Sequence, residues 1–385
     1  MFKLFFWTNY YIEQRDIGTT VKIRNEIKTL RDMDYEVYYT AYVDGGVAIF
    51  GNNDKKIAKM NFSVNNKKII SITRKDYLIR ITRKFIKKEK FDFFLLRINY
   101  FSNSYMNMLK DMKSQKALVM METLSYYPGI KYSIAKAPKL FAVANSMKRN
   151  RKQIADCVDL MLTEGHIENY YGIPCEEFGM GVNVSDFRAH NYKGLSDELN
   201  LLMVGCTSVY HGTDRILKSL DSYYKDGNQV RTVKLHLVGD ILQKDLKFIH
   251  ESVIEDKVIC YGKRYGKELE DIYDKCNIAL GPLSQHRMNK RDTGLKTKEY
   301  FAKGIPYLYS GEETALPNDY PYIMEVPNDE SLINIEEVWK FYEQNCRNGH
   351  VVDDMRNTAK TVFSWNGIFS RAFSRLSEVS NSIRK

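Results

Sequence analysis

Short apolar runs recur along the chain, and stretches with apolar positions three and four apart fill the gaps between them. A short run bounded by turn residues predicts a strand, and a longer periodic stretch predicts a helix. In the first half this predicts strands at 2–8, 36–43, 91–98, 116–121, 140–144 and 160–163, with helices at 19–32 and 100–112 among the segments between them. The second half predicts strands at 199–204, 234–238, 258–261, 278–280 and 305–309. The first four of these run into Gly205, Gly239, Gly262 and Gly281, and the last into Ser310 and Gly311. Such alternation predicts βα units and parallel sheets. In open sheets of this kind ligands lie outside the carboxyl ends of the strands, where glycine lets the backbone come close.

A polar stretch, RAHNYKGLSDE at 188–198, reads as a linker. With 385 residues there is room for two domains, each with its own core. The expected class is α/β: two Rossmann-like domains facing a central cleft, at 1–188 and 189–362. The segment 363–385 carries Ile368, Phe369, Phe373 and Leu376 at helical spacing and predicts a closing helix that packs back towards the first domain.

Composition narrows the function classes. The six cysteines form no C-x-x-C pair, which argues against a zinc site or a disulfide framework and for reduced thiols in the cytoplasm. The amino-terminal MFKLFFWTNYY turns polar too early for a signal peptide, and no run is long enough to span a membrane. Net charge is +10, much of it in RKDYLIRITRKFIKKEK at 74–90. There Tyr77, Leu78, Ile81, Phe85 and Ile86 recur at helical spacing between basic residues. Two readings stand side by side: a basic amphipathic helix for an anionic membrane surface, making the protein peripheral on the inner face of the membrane, or a solvated helix with its stripe in the core. No nucleic-acid motif is present, and aromatics do not interleave with the basic run as stacking platforms would.

The richest segment is RDTGLKTKEYFAKGIP at 291–306. Asp292 or Thr293 suits a cap for a helix starting near Gly294, and Gly304 with Pro306 would end it. A helix start offers amide donors and a positive dipole end, and a glycine there lets a diphosphate reach the backbone. Lys296 adds a cation in the first turn, and Glu299, four residues after Leu295 on the same face, suits the two hydroxyls of a ribose. The alternative is an ordinary helix between strands with Glu299 solvated.

The wider context resembles family 4 of the retaining GT-B glycosyltransferases. EYFAKGIP at 299–306 matches the family's EAMA-x-G-x-P segment, and VGCTSVYHGTDRIL at 204–217 its VG…KG-x-D-x-L block. LHLVG at 235–239 and VICYG at 258–262 match two further strands, and GMGVNVSDF at 179–187 resembles NGVDVxxF. The blocks keep the family order over roughly residues 160–310. In the first half, DIGTT at 16–20 sits where the family has a glycine-rich loop, and METLSYYP at 121–128 looks like the E-x-P-T-Y-P block of polysaccharide enzymes. The resemblance implies a first domain that binds a glycan or lipid-linked glycan acceptor, with Gly18 in its loop. It also implies a second domain that binds a nucleotide diphosphate sugar, UDP before GDP, and hexosyl transfer with retention. No metal or other cofactor is implied, because fixed cations and dipoles meet the diphosphate.

The chain departs from the family at two places. The first carboxylate of its E-x7-E motif falls on Arg291, and its diphosphate-binding Arg and Lys fall near Cys206 and on His211. The phosphate charge is then left to Lys296, Arg291, Arg287 and Lys263. Glu122 ends a predicted strand and suits either acceptor orientation or a buried or capping role. His286 and Arg287 follow another strand and suit either a donor contact or a surface loop, while His166 and His211 carry little signal. No catalytic base is identified. Two rival readings are an epimerase acting on nucleotide sugars and a non-catalytic subunit of a glycosyltransferase complex.

Overall fold

The structure is a computed structural model that describes the chain except residues 12–17, 65, 99, 124–137, 164–166, 192–196, 206–208, 228–230, 289–293, 312, 314, 346–348 and 384–385. Its contacts divide it into two compact units, Met1–Gly179 with Trp365–Lys385, and Met180–Ser364.

Unit 1 runs β1 (Phe2–Trp7), α1 (Gly18–Asp32), β2 (Tyr35–Val43), β3 (Gly46–Phe50), β4 (Lys56–Asn61), α2 (Lys67–Ile86), β5 (Phe93–Arg97), α3 (Asn103–Lys113), β6 (Leu118–Thr123), α4 (Pro138–Ala155), β7 (Leu160–Thr163), β8 (Asn169–Tyr170) and β9 (Ile173–Glu177). The strands form one sheet in the order β4-β3-β2-β1-β5-β6-β7-β9-β8. Strands β2, β1, β5, β6, β7 and β9 pair in parallel. Phe5 and Trp7 of β1 enter the core beneath α2 and α3, and Leu4 and Phe6 enter the core on the α1 side. A strand that is apolar at consecutive positions, rather than alternating, marks a parallel sheet covered on both faces. Each such side chain contributes about 2 kcal/mol by leaving water.

Unit 2 runs β10 (Glu198–Val204), α5 (Thr213–Lys225), β11 (Thr232–Val238), α6 (Gln243–Glu251), β12 (Val258–Gly262), α7 (Gly266–Tyr273), β13 (Ile278–Leu280), α8 (Leu295–Lys303), β14 (Tyr307–Tyr309), β15 (Ile323–Glu325), α9 (Ile335–Asn345) and α10 (Val351–Thr361). Its sheet is parallel throughout, in the order β12-β11-β10-β13-β14-β15. Again β10 splits its residues between two cores. Leu199, Leu201 and Met203 pack with α5 and α9, and Leu202 and Val204 with α8 and α10. Helix α11 (Trp365–Ile383) then returns to unit 1, where Trp365, Ile368, Phe369, Ala372 and Leu376 are buried beside α1 and β1.

Several elements differ from the sequence expectation. Residues 140–144 lie inside α4, not in a strand; Pro138 opens that helix, where its missing N–H is harmless. Strands β3 and β4 were not expected, although Asp44-Gly45 joins β2 to β3 as a two-residue hairpin with Gly45 at φ 67°. The unit boundaries fall at Gly179/Met180 and Ser364/Trp365, where the sequence suggested 188/189 and 362/363. The segment after Gly179 is held by unit 2: Val182 N donates to Phe363 O at 2.8 Å, and Val182 and Val184 join its core. The helix expected within 74–90 is α2, which starts earlier, at the Asn66 cap. Its Leu78, Ile81 and Ile86 are buried in unit 1, with Tyr77 and Phe85 packed against them. The apolar stripe is therefore core and is not available to enter a bilayer. Among the described residues no helix is long and apolar enough to cross a membrane.

Candidate functional site

In unit 2 the chain lays down β10, β11 and β12 to one side, then crosses back to place β13 beside β10. This reversal opens a crevice outside the carboxyl ends of β10 and β13, the place where such sheets bind ligands. Helix α8 enters it from the chain that follows β13. Its N-cap is Gly294 itself, not Asp292 or Thr293, which lie outside the described residues with Arg291. Gly294 has φ 81° and ψ 179°, a conformation only glycine adopts without strain, and a Cβ there would meet no atom within 4 Å. Leu295 begins the helix, so its positive dipole end lies at Gly294, and Gly294, Leu295 and Lys296 are partly exposed. Gly281, by contrast, is small for packing: a Cβ would lie 3.0 Å from Thr297 Cγ2 and 3.1 Å from Leu308 O.

Lys296 and Glu299 meet each other, Nζ to Oε2 at 2.7 Å, with both side chains partly accessible. Lys263 follows β12 and pairs at 2.7 Å with Asp240, which follows β11; both are exposed. That hydrogen bond holds the Lys263 ammonium above its ordinary pKa. Arg287 behaves differently. Its Nε donates to Glu330 Oε1 at 2.7 Å, and Nη1 to Asp214 Oδ1 at 2.7 Å and Val209 O at 3.2 Å. Nη2 reaches Asp214 Oδ2 at 3.1 Å and Glu330 Oε2. Every guanidinium N–H is thus committed within the protein. Arg287 clamps the loop after β13 to the first turn of α5 and to the chain near Glu330, and a diphosphate would have to displace two carboxylates to use it. The bonds from Arg287, and then His286, pull the Glu330 carboxyl down to about 2. His286 joins the same clamp through Nε2 to Glu330 Oε1 at 2.7 Å. His211 also serves the loop, its carbonyl accepting from Leu283 N at 3.1 Å.

Sequence reasoning missed Asp214 as the partner of Arg287, and it missed Ser284 and Gln285. Both of the latter are fully buried in the loop after β13, and Ser284 Oγ, Gln285 Oε1 and Gln285 Nε2 have no hydrogen-bond partner. Their position just past a strand at the reversal was the one available signal. Among the described residues no cluster of His, Cys, Asp or Glu suits a metal ion.

In unit 1, Gly18 is the first residue of α1. Glu122 near the end of β6 takes its buried reading, not an acceptor-facing one. It lies in a cluster with Lys22, Glu26 and Arg97, all buried. Lys22 bonds Glu122 and meets Glu26 at 2.8 Å; Arg97 meets Glu26 at 3.1 Å and Glu122 at 3.0 Å. Burial acts to raise the Glu122 pKa, but Arg97 and Lys22 outweigh it and leave the carboxyl below its ordinary value. Burial dominates at Glu26 and raises it. Lys22 Nζ also sits over the rings of Phe178 and Trp365, at 5.3 and 5.4 Å. His166 and Cys206 lie outside the described residues.

No protein-family model and no curated protein matches the chain. Solved structures do resemble it. A glycosyltransferase from Rickettsia africae ESF-5 matches with a TM-score of 0.65 at 13% identity over 98% of each chain. The catalytic domain of starch synthase IV from Arabidopsis thaliana, bound to ADP and acarbose, matches with a TM-score of 0.57 at 9% identity over 100% of each chain. A proposed UDP-N-acetylglucosamine 2-epimerase from Listeria monocytogenes matches with a TM-score of 0.55 at 11% identity, over 99% of this chain and 97% of that one. Two parallel-sheet α/β units matched along their full length to such proteins give this chain the GT-B fold, which glycosyltransferases share with related epimerases.

Proposed function

We propose that the protein is a glycosyltransferase that moves a hexosyl group from a nucleotide diphosphate sugar to a hydroxyl of a polysaccharide or lipid-linked glycan, with retention. The observation that carries this reading is the start of α8. A helix dipole, a partly exposed glycine cap in a glycine-only conformation and a Lys–Glu pair one turn apart meet outside β13. On binding, Lys296 exchanges Glu299 for a phosphate oxygen, and Glu299 accepts from the ribose hydroxyls. Lys263 and Arg291 supply further positive charge, and the clamped Arg287 holds the loop in place. The bond from the anomeric carbon to the diphosphate breaks as the acceptor oxygen bonds that carbon on the same face. The acceptor proton passes to the departing diphosphate, whose charge is met by the helix start and fixed cations. UDP is the first choice of nucleotide and GDP the second. The UDP-sugar named for the Listeria neighbour and the ADP held by the Arabidopsis one support a nucleotide at this fold's site. The basic face of α2 suits an electrostatic contact with an anionic membrane, without insertion of its stripe.

A thermal-shift series with UDP, GDP and their sugars tests the site, since a ligand of the native state raises its melting temperature. UDP should raise it in the wild type and not in Lys296→Ala or Glu299→Ala; no shift with any nucleotide overturns the assignment. The likeness to an epimerase supports a second reading. Product analysis separates the two: an epimerase returns the nucleotide sugar with one carbon inverted, whereas a transferase releases nucleotide as acceptor is added. Binding with neither product would point to a non-catalytic subunit.

A further inference from the structure

Unit 1 holds a polar group that the donor reading does not use. Its sheet reverses between β1 and β5, so the carboxyl ends of β1 and β2 border the ligand side. Tyr11, just past β1, bridges to Tyr42 near the end of β2, and their rings lie 5.0 Å apart. Arg74 of α2 lays its guanidinium 4.8 Å from the Tyr42 ring centroid and 5.5 Å from that of Tyr11. Its Nη1 donates to Tyr11 Oη at 2.9 Å.

Two features of this group stand out. Arg31, Arg83 and Arg97 of the same unit each meet a carboxylate. Arg74 is half-buried, and among the described residues its side chain meets no carboxylate and makes no hydrogen bond other than that to Tyr11. Its Nε is buried without a partner. Tyr42 is 1% exposed, and its Oη also lacks a partner. Burial holds that phenol protonated, so it remains a donor. A cation withdrawn from water without a counterion is costly, and two aromatic faces offset only part of the cost. An oxyanion would supply the missing charge and accept from Arg74 and Tyr42 together.

We propose that Arg74, Tyr11 and Tyr42 form a subsite for an oxyanion, a carboxylate or phosphate, borne by the acceptor glycan. Calling its bearer the acceptor rests on the glycosyl-transfer reading; the binding of the anion does not. Tyrosine rings beside the guanidinium suit the apolar face of the sugar that carries the charge.

Calorimetric titration of the full chain tests this. The probes are a glucuronate-terminated disaccharide and its carboxyl-reduced counterpart, and glucose 6-phosphate and glucose. At least one charged probe should bind about tenfold or more tighter than its neutral counterpart. Preference in the carboxylate arm alone assigns a uronate, and in the phosphate arm alone a phosphorylated sugar. Arg74→Gln should abolish the preference, Arg74→Lys retain part of it, and Tyr42→Phe weaken it roughly threefold. UDP binding should be unchanged in all three variants. Equal binding of charged and neutral probes, or a preference that survives Arg74→Gln, overturns the subsite. Should Arg74→Gln fail to fold, Tyr42→Phe decides, and an unchanged preference there also overturns it. Loss of UDP binding in the wild type with the anion preference intact would defeat the donor reading alone.

Discussion

The two units use similar residue types, lysine, arginine and glutamate, in opposite ways. In unit 1, Lys22, Glu26, Arg97 and Glu122 are buried and answer one another. In unit 2, Lys296 and Glu299 form a pair at a helix start, open enough to exchange partners. The difference teaches that a charged residue at a strand end is not by itself a site. What separates structure from recognition is whether its partners are all internal. Glu122 and Arg287 looked like site residues by position, yet each is held by long-range partners, whereas the pair on α8 keeps a solvent-facing side.

The sharpest break in this comparison is Glu122→Ala. Removing one carboxylate leaves Lys22 and Arg97 buried with a charge excess, so denaturant unfolding should show a loss of about 3–5 kcal/mol. His236 gives a buried contrast. It is held neutral between Asn200 Oδ1 at 2.8 Å and Tyr261 Oη at 2.9 Å, and burial lowers its pKa to about 4. Between its unfolded value near 6.5 and about 4, the unfolded chain takes a proton that the native state does not. Stability should therefore fall as pH drops through that window, by up to about 3 kcal/mol, and His236→Gln should flatten the profile. Arg287→Ala, which opens the clamp around Asp214 and Glu330, should cost about 2 kcal/mol in the same assay. Lys296→Ala should change stability by less than about 0.5 kcal/mol yet remove the UDP-induced thermal shift. If it destabilises like Glu122→Ala, the α8 pair is structural and the contrast between the units fails.

Much of the fold was legible before the structure. The runs at 160–163 and 278–280 are β7 and β13, because short buried strands between helices leave a compact apolar signature. The run at 140–144 failed because a short apolar stretch cannot distinguish a buried strand from one face of a helix. The hairpin at Asp44-Gly45 had a turn signal, but the strands flanking it look like more of the same apolar run. The site was legible in its local part only. Gly294, Lys296 and Glu299 lie at the cap and in the first turn and a half of one helix, so spacing brings them together. The carboxylate partners of Arg287 lie 43 and 73 positions away, and those of Glu122 on α1 and β5, distances over which spacing carries no information.

The return of α11 to unit 1 has a consequence for synthesis. Unit 2 is one continuous stretch and can finish folding once Ser364 has left the ribosome. Unit 1 must wait, with the pocket for Trp365 open beside Phe178 and Lys22, until its last segment emerges. At about 5–20 residues per second that wait is on the order of 10–40 s. During it the earlier-made half of the chain exposes apolar surface while the later-made half is still being synthesised, so a nascent-chain chaperone would be expected to engage the amino-terminal unit.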